Sequence, residues 1–343
     1  MRSPIVQLTL ARLREWYREP ETIFWTFLFP PLLAVALGIA FRNQGPAPAR
    51  VLVLDGPQAQ ATADALGKNE LLKVEVAGRE AADRMLASGR AEVLVVPGSP
   101  VTYRFDPSRS ESHLARAHTD QALQSAAGRA DPVPVRDEPV QQAGSRYIDF
   151  LIPGLLGLNL MSAGLWGIGW SIVDARTRKL LRRLLAAPMR RRDFLFAQIA
   201  ARMFYLPFEV IFLLGMAWLL FDVTIVGSIL GVTLIVLLGA LSFAGLGTLL
   251  ASRAKTTEGI NGLINLFNLP MFLLSGVFFS SSRFPDFLQP FIRALPLTAL
   301  NDALRAVINQ GQSVWTLGPQ FAVLAVWGVM SFLLALKLFR WST

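Results

Sequence analysis

The sequence predicts an all-α polytopic membrane protein with six transmembrane helices and an inserted extracytoplasmic α/β domain. Composition is the first observation behind this prediction, because 53% of the residues are hydrophobic and only 17% are charged. The second is a set of six apolar runs, each long enough to cross a hydrocarbon core of about 30 Å at 1.5 Å per residue. The third is a long polar stretch, 42–146, which follows the first apolar run.

Composition also excludes several kinds of site. The chain has no cysteine, which removes disulfides, thiolate metal sites and cysteine nucleophiles. Its two histidines, His113 and His118, are five positions apart and do not share a helical face, so we interpret them as surface residues. We therefore predict no metal site and no catalytic residue. Eight of the 33 basic residues lie in 176–192, where they fit a loop facing anionic lipid better than a nucleic-acid site.

The amino-terminal region, 1–21, is predicted to be an amphipathic helix in the membrane interface. Val6, Leu10, Leu13 and Tyr17 recur at helical spacing, and an ordinary cytoplasmic tail is the alternative. The first apolar run could also belong to a cleaved signal peptide. The long leading region favours an uncleaved membrane anchor.

Transmembrane helices are predicted over six segments. These are 22–41, 147–173, 194–220, 228–251, 260–281 and 319–339. The last five make up a helical region, 147–343. Four basic residues precede the first span and eight occupy 176–192, whereas 221–227 contains none. Because short cytoplasmic loops are rich in Lys and Arg, both termini are expected in the cytoplasm and 42–146 outside.

The polar stretch 42–146 is predicted to be a small α/β domain. Short apolar runs bounded by turn residues indicate strands, and longer amphipathic stretches indicate helices. The predicted strands are 51–55, 92–96, 101–105 and, as a last strand, 133–140; the predicted helices are 80–88 and 109–127.

Polar side chains inside the predicted spans are the candidates for a transport path. Glu258, Asn261, Asn265 and Asn268 recur at spacings of three and four, so they lie on one face of the fifth span. Such a face either lines a path or forms hydrogen bonds across an interface. Glu209 in the third span is either a transport-coupled carboxylate or the buried partner of Arg202.

Two other patterns concern helix packing. Small residues recur four apart in the second and fourth spans, which permits close approach of helices. The pairs are Ala163/Gly167, Ala240/Ala244 and Gly247/Ala251. Between the fifth and sixth spans, Pro285, Pro290 and Pro296 break 284–311 into short pieces, which we predict to form an outer re-entrant segment.

No nucleotide-binding loop is present in the sequence. Lys68, the one lysine that follows a glycine, is followed by Asn, whereas a P-loop requires Ser or Thr after its lysine. If transport is driven by ATP, the ATPase must be a second polypeptide. The stretch 176–190 alternates arginines with leucines, which predicts a short helix with an apolar face for such a partner.

Together these features resemble the permease subunits of the ABC-2 type, the six-span exporters grouped as type V ABC transporters. The order of parts is similar, and so is KLLRRLLAAPMRRRDFL (179–195), which contains the family's Leu-Leu-x-x-Pro stretch. The run SGVFF…FP…PLTALNDALR…G (275–311) is similar to the family's run before its last span. One departure is Lys179, which stands where many members have the glycine of a Glu-x-x-x-Gly-Thr lead; the nearby acid is Asp174.

The resemblance implies a dimer of permeases, a homodimer or a heterodimer, that binds two copies of a cytoplasmic ABC ATPase in a bacterial plasma (inner) membrane. This chain would hold no cofactor and catalyse no reaction itself, since the ATPase would bind ATP and Mg²⁺. The helix 176–190 would be the coupling helix. Its implied ATPase contacts are Arg178, Lys179, Leu181, Arg182, Leu184, Leu185 and Pro188. Export of drugs, lipids, glycans or ions fits the family equally well.

Two other functions compete with this one. A secondary transporter that works without ATP would be expected to carry internal repeats or acids in several spans. The chain has one mid-span acid, Glu209, and no internal repeat. A membrane scaffold whose 42–146 domain binds a partner outside is the third hypothesis.

Overall fold

The computed structural model describes residues 4–41, 48–129, 144, 146–181 and 191–339. The chain divides into two compact units, one formed by Met1–Arg42 with Gln141–Thr343 and the other by Asn43–Val140. We call the first the helical unit and the second the small unit.

The helical unit begins with α1 (Pro4–Arg18), which ends where Glu19 leaves helical geometry. Pro20 then opens α2 (Pro20–Ile23), at a position where a helix does not need the amide that proline lacks. A π-helical turn (Phe24–Leu28) and α3 (Phe29–Ala40) complete the first apolar helix. The amide of Asn159 donates to the carbonyl of Thr26 at 3.2 Å, so a neighbouring helix contacts the backbone of this irregular turn.

The small unit is a four-stranded sheet with helices on both faces. Its elements are β1 (Ala49–Leu54), α4 (Ala59–Leu66), β2 (Leu72–Ala77), α5 (Arg79–Ala87), β3 (Val93–Val96), β4 (Thr102–Phe105) and α6 (Ser110–Ala126). The strand order is β2-β1-β3-β4, with β4 antiparallel to β3 and the other neighbours parallel. Val51 and Val93 face a core with α4 and α6, and Leu52 and Leu94 face α5.

The sequence prediction missed one strand of the small unit. No element was predicted over LKVEVA, whose Lys73 and Glu75 are charged, but this stretch forms β2 at the edge of the sheet. The predicted strand 133–140 lies outside the described residues. The location of the small unit outside the membrane stays a prediction.

The rest of the helical unit consists of helices of different lengths. They are α7 (Tyr147–Ser162), a π-helical stretch (Ala163–Trp170), α8 (Ser171–Thr177), α9 (Arg191–Phe221), α10 (Ile229–Arg253), α11 (Thr257–Leu274), α12 (Gln289–Ala294), α13 (Pro296–Ile308) and α14 (Gly318–Leu338). Short 3₁₀ turns occur at Ser281–Arg283, Asp286–Leu288 and Val314–Thr316.

Five helices in the described part of the chain are long and apolar enough to cross a membrane. They are Pro20–Ala40, Tyr147–Thr177, Asp193–Phe221, Ile229–Arg253 and Gly318–Leu338, which correspond to five of the predicted spans. The predicted fifth span, 260–281, is helical only over α11, which ends at Leu274. Three asparagines and Glu258 make α11 more polar than the other five. A sixth span is therefore not established by the structure.

The π-helical stretch packs closely on α10. A Cβ atom added at Gly164 would lie 2.7 Å from the carbonyl carbon of Phe243. One added at Gly247 would lie 2.1 Å from the carbonyl oxygen of Gly164. Of the predicted small-residue positions, Gly247 is thus at a close contact, whereas Gly167 faces open space.

We expect Gly164→Ala to lower the free energy of unfolding by about 1–3 kcal/mol, because the added methyl overpacks a rigid backbone contact. Gly167→Ala is the matched control, since no atom lies within 4 Å of its added Cβ. Thermal unfolding of the purified protein in detergent measures both. Equal melting temperatures for the two variants would contradict the packing described here.

The segment 284–311 is broken at the three predicted prolines. Pro285 precedes a 3₁₀ turn, and Pro290 and Pro296 each lie in the first turn of a helix, α12 and α13. Leu300 of α13 contacts Gly239, which is ten residues into α10 and so about 15 Å along its axis. Val307 contacts Gly227, just before α10 begins. Helix α13 therefore runs beside the first half of α10, and whether it re-enters the membrane stays a prediction.

Candidate functional site

The predicted coupling helix, 176–190, begins inside α8 and continues into the segment that follows it. Helix α8 ends at Thr177, and Lys179 then adopts a left-handed conformation with φ of 59°. Leu180 and Leu181 are helical again. The structure thus places residue 176 in α8 and separates it from the helical turn at 180–181, so the coupling segment is divided where one helix was predicted.

The predicted ATPase contacts fall into three groups. Arg178 is exposed and pairs with Asp174 at 2.9 Å, so its guanidinium lies on the surface beside Lys179. Leu181 is fully buried in the core of the helical unit, so its side chain is not free to pack on a partner; Leu180, which is 45% exposed, is the available leucine. Arg182, Leu184, Leu185 and Pro188 lie outside the described residues.

Arg176 fixes the start of this segment to the end of α10. One terminal nitrogen of its guanidinium donates to the carbonyls of Ala251 and Ala254, at 2.9 and 2.5 Å. Ala251 lies in the last turn of α10, where the helix leaves acceptors without intrahelical donors, and Ala254 is the residue that follows the helix. The guanidinium also lies 5.2 Å from the ring centroid of Phe339. A buried arginine therefore connects the end of α8 to the end of the fourth apolar helix.

The backbone at Lys179 is left-handed, a conformation that favours glycine. A residue with a Cβ atom is strained in this conformation by roughly 1 kcal/mol, and glycine is not. We expect Lys179→Gly to be more stable than Lys179→Ala by about 1 kcal/mol, since both remove the same charge and only glycine relieves the strain. Chemical or thermal unfolding compares the pair. A Lys179→Ala variant as stable as Lys179→Gly would contradict the left-handed assignment.

Helix α11 carries its asparagines beside the face that packs on the core, and the side-chain oxygens of two of them are buried. It packs on the helical unit through Ile260, Ile264 and Met271, which are buried. Asn265 is exposed, and Asn261 and Asn268 are half-buried. The side-chain oxygens of Asn261 and Asn268 have no hydrogen-bond partner among the described residues. Within the described residues of one copy, these two oxygens therefore remain without hydrogen-bond donors.

Glu209 forms a buried ion pair with Arg202. The Nη1–Oε1 distance is 2.5 Å and both side chains are 1% exposed. Both residues lie on α9, seven positions apart, on a face that also carries Gln198. The oxygen of Gln198 accepts from Arg12 Nε of α1 at 2.8 Å. In the structure, Glu209 has the arginine partner that the second of the two interpretations requires.

A row of polar residues on α13 was not identified from the sequence. Asn301, Arg305 and Asn309 are four positions apart, so they share one face. Asn301 Nδ2 donates to the carbonyl of Ser275 at 2.9 Å, and Asn309 Nδ2 donates to that of Asp149 at 2.8 Å. The spacing of four within PLTALNDALRAVIN is the signal that could have revealed this row.

Arg305 is the central member of the row. Its guanidinium donates to the carbonyl of Phe150 at 3.2 Å and to that of Gly276, and lies 3.6 Å from the centroid of the Phe150 ring. Asn301 lies so close to Gly157 that a Cβ there would be 2.0 Å from its side-chain oxygen. The row thus joins α13 to the start of α7 and to the segment after α11, which is a structural role.

Comparison with known proteins gives one match. A family model described as ABC-2 family transporter protein matches residues 20–337, from the first residue of α2 to the last turn of α14. No curated protein matches the chain.

Proposed function

Because the chain belongs to the ABC-2 family of transporter proteins and is a multi-pass membrane permease of an ABC transporter, we propose that it exports a substrate using the energy of a separate ATPase. The observation that carries the proposal is the family match over residues 20–337, which reaches all five long apolar helices found among the described residues. The cytoplasmic ATPase would bind ATP and Mg²⁺, and the permease would provide the path.

In this proposal the segment after α8 is the docking site for the ATPase. It connects two long apolar helices, contains five basic residues between positions 178 and 190 and begins with the exposed Arg178. Arg176 would transmit movement of the docked segment to the end of α10, because one terminal nitrogen of its guanidinium donates hydrogen bonds to the carbonyls of Ala251 and Ala254. Coupling would then depend on a contact that lies inside the permease.

The excess of basic residues in 176–192 supports cytoplasmic termini and an outer location for the small unit. Helix α11 would also cross the membrane, which brings the number of spans to six. In a single copy, its exposed Asn265 would face lipid beside Leu266 and Leu269, which are more than 60% exposed. Polar groups facing lipid are costly, so a second copy of the permease or a polar path would lie against this face.

A homodimer that binds two ATPase subunits is compatible with either role of the asparagine face, which would line the path or form the interface between copies. The variant Asn265→Leu distinguishes these two roles. If the asparagine face lines the path, this variant keeps the dimer mass but alters substrate-stimulated ATP hydrolysis. If the face forms the interface, the variant lowers the dimer fraction measured by mass photometry in detergent.

The test of the function is ATP hydrolysis by the reconstituted complex in liposomes. Drugs, lipids, glycans and ions are added in turn, and one class is expected to raise the hydrolysis rate above that of the ATPase alone. An ATPase whose P-loop lysine is replaced is the control. The proposal fails if the permease neither binds the ATPase nor changes its rate with any class.

An ATP-independent transporter draws no support from Glu209. Its carboxylate is paired with Arg202 and both side chains are buried, so the one mid-span acid is committed to a structural contact.

A further inference from the structure

The small sheet has a free edge at β2. Within the described chain, β2 pairs with β1 alone. The carbonyls of Leu71 and Ala77 accept hydrogen bonds from the β1 side, so the odd-numbered residues of β2 direct their backbone groups inward to β1. Because the direction alternates along a strand, Leu72, Val74 and Val76 direct theirs outward.

The side chains of β2 have opposite characters on the two faces of the sheet. The even-numbered residues contribute to the core with α4 and α6, whereas Lys73 and Glu75 are exposed on the α5 face. Lys73 lies in register with Arg50 of β1, a charge of the same sign. Neither Lys73 nor Glu75 has an ion-pair partner within the part of the chain that the structure describes.

We propose that β2 pairs antiparallel with β2 of a second copy of this chain, with Val74 opposite Val74 on a two-fold axis. In this register Lys73 of each copy lies opposite Glu75 of the other. Residues with outward backbone groups meet as hydrogen-bonded pairs. Lys73 and Glu75 then meet as non-hydrogen-bonded pairs, in which opposite side chains come closest.

Backbone direction and charge therefore select the same register. The two Val74 residues exchange two hydrogen bonds, and each Val76 amide donates to the Leu72 carbonyl of the other copy. The Leu72 amide is not needed, since it already donates to Asn69 at 3.0 Å. The result is one sheet continuous through both copies, with two Lys–Glu pairs on one face and two Leu–Val pairs on the other.

The β2 pairing rests on the proposed homodimer and specifies the surface through which its two small units meet. A charged edge strand has a second explanation, in which Lys73 prevents unwanted pairing. The two explanations predict opposite effects when the lysine is changed to an acid, so charge reversal decides between them.

The first experiment uses the absence of cysteine in the chain. Val74→Cys in the full-length permease, reconstituted in nanodiscs and mildly oxidised, is expected to form a disulfide between copies. Opposed residues of a hydrogen-bonded pair have Cα atoms about 5.5 Å apart, within disulfide range. Thr102→Cys on β4, the opposite edge of the sheet, is the matched control and is expected to remain reduced.

The second experiment adds charge reversal to the Val74→Cys chain. Lys73→Glu replaces two attractions by two repulsions and should reduce the cross-linked fraction about tenfold. Lys73→Glu with Glu75→Lys restores both pairs and should recover the cross-link. Lys68→Glu and Glu111→Lys, on exposed residues outside β2, are the charge controls and should leave it unchanged.

The mass of the particle separates the two proposals. A dimer mass with a cross-link at Val74 that follows the charge pattern supports the inference. A dimer mass with no cross-link, or with one that Lys73→Glu leaves unchanged or strengthens, overturns the β2 pairing and leaves the homodimer intact. A monomer mass overturns both.

Discussion

Replacing Leu184 and Leu185 by aspartate is expected to abolish association with the partner ATPase. The expectation rests on the sequence, in which these leucines follow the basic Arg182 and precede Pro188 in the Leu-Leu-x-x-Pro stretch. Each leucine buried on binding contributes about 1.5–3 kcal/mol, and a buried aspartate adds a desolvation cost, so affinity should fall by more than about 100-fold. Co-purification of tagged ATPase with the permease measures the effect.

Two controls keep this result specific. Leu184→Met with Leu185→Met preserves the apolar contact and should bind normally. Leu114→Asp changes an exposed leucine of the small unit, at 56% exposure, and should also leave association unchanged. Full co-purification of the double-aspartate variant would remove the docking assignment from this stretch.

Breaking the buried ion pair of α9 should have the largest effect on stability. Glu209→Ala leaves the guanidinium of Arg202 buried without its acid, at a cost of about 3–5 kcal/mol. Arg202→Met combined with Glu209→Leu removes both charges and is expected to recover most of the loss, because well-packed apolar residues often replace a buried pair without penalty. Thermal unfolding in detergent, analysed as a double-mutant cycle, measures the coupling.

An exposed pair provides the reference for this cycle. Arg178 and Asp174 also form an ion pair at 2.9 Å, but the arginine side chain is 73% exposed. Arg178→Ala should therefore cost less than about 1 kcal/mol. A Glu209→Ala variant no less stable than Arg178→Ala would show that the α9 pair is not buried as described.

The sequence was sufficient for the long apolar helices, because a membrane requires about 20 consecutive apolar residues and leaves a strong local signal. Five predicted spans therefore match helices closely, and the three prolines mark the breaks in the outer segment. Strand β2 was missed because two of its residues, Lys73 and Glu75, are charged, so that LKVEVA is not an apolar run like those of β1 and β3. The end of α11 was misplaced by several residues, since the apolar run continues after the helix stops at Leu274.

The candidate site was harder to predict for a physical reason. Arg176 and Arg305 act on backbone carbonyls of distant segments, and a carbonyl has no residue-type signature in a sequence. The left-handed conformation of Lys179 could not be predicted either, because a lysine in the sequence does not indicate a left-handed backbone as a glycine does. Leu181 looked like its neighbour Leu180, and only packing separates the buried leucine from the exposed one.

The most direct measurement of the central claim is substrate efflux from liposomes that contain the purified permease with and without its ATPase. Export that requires both the ATPase and hydrolysable ATP, and that disappears with the double-aspartate variant, is the predicted result. Export by the permease alone, with no ATPase in the liposome, would contradict it.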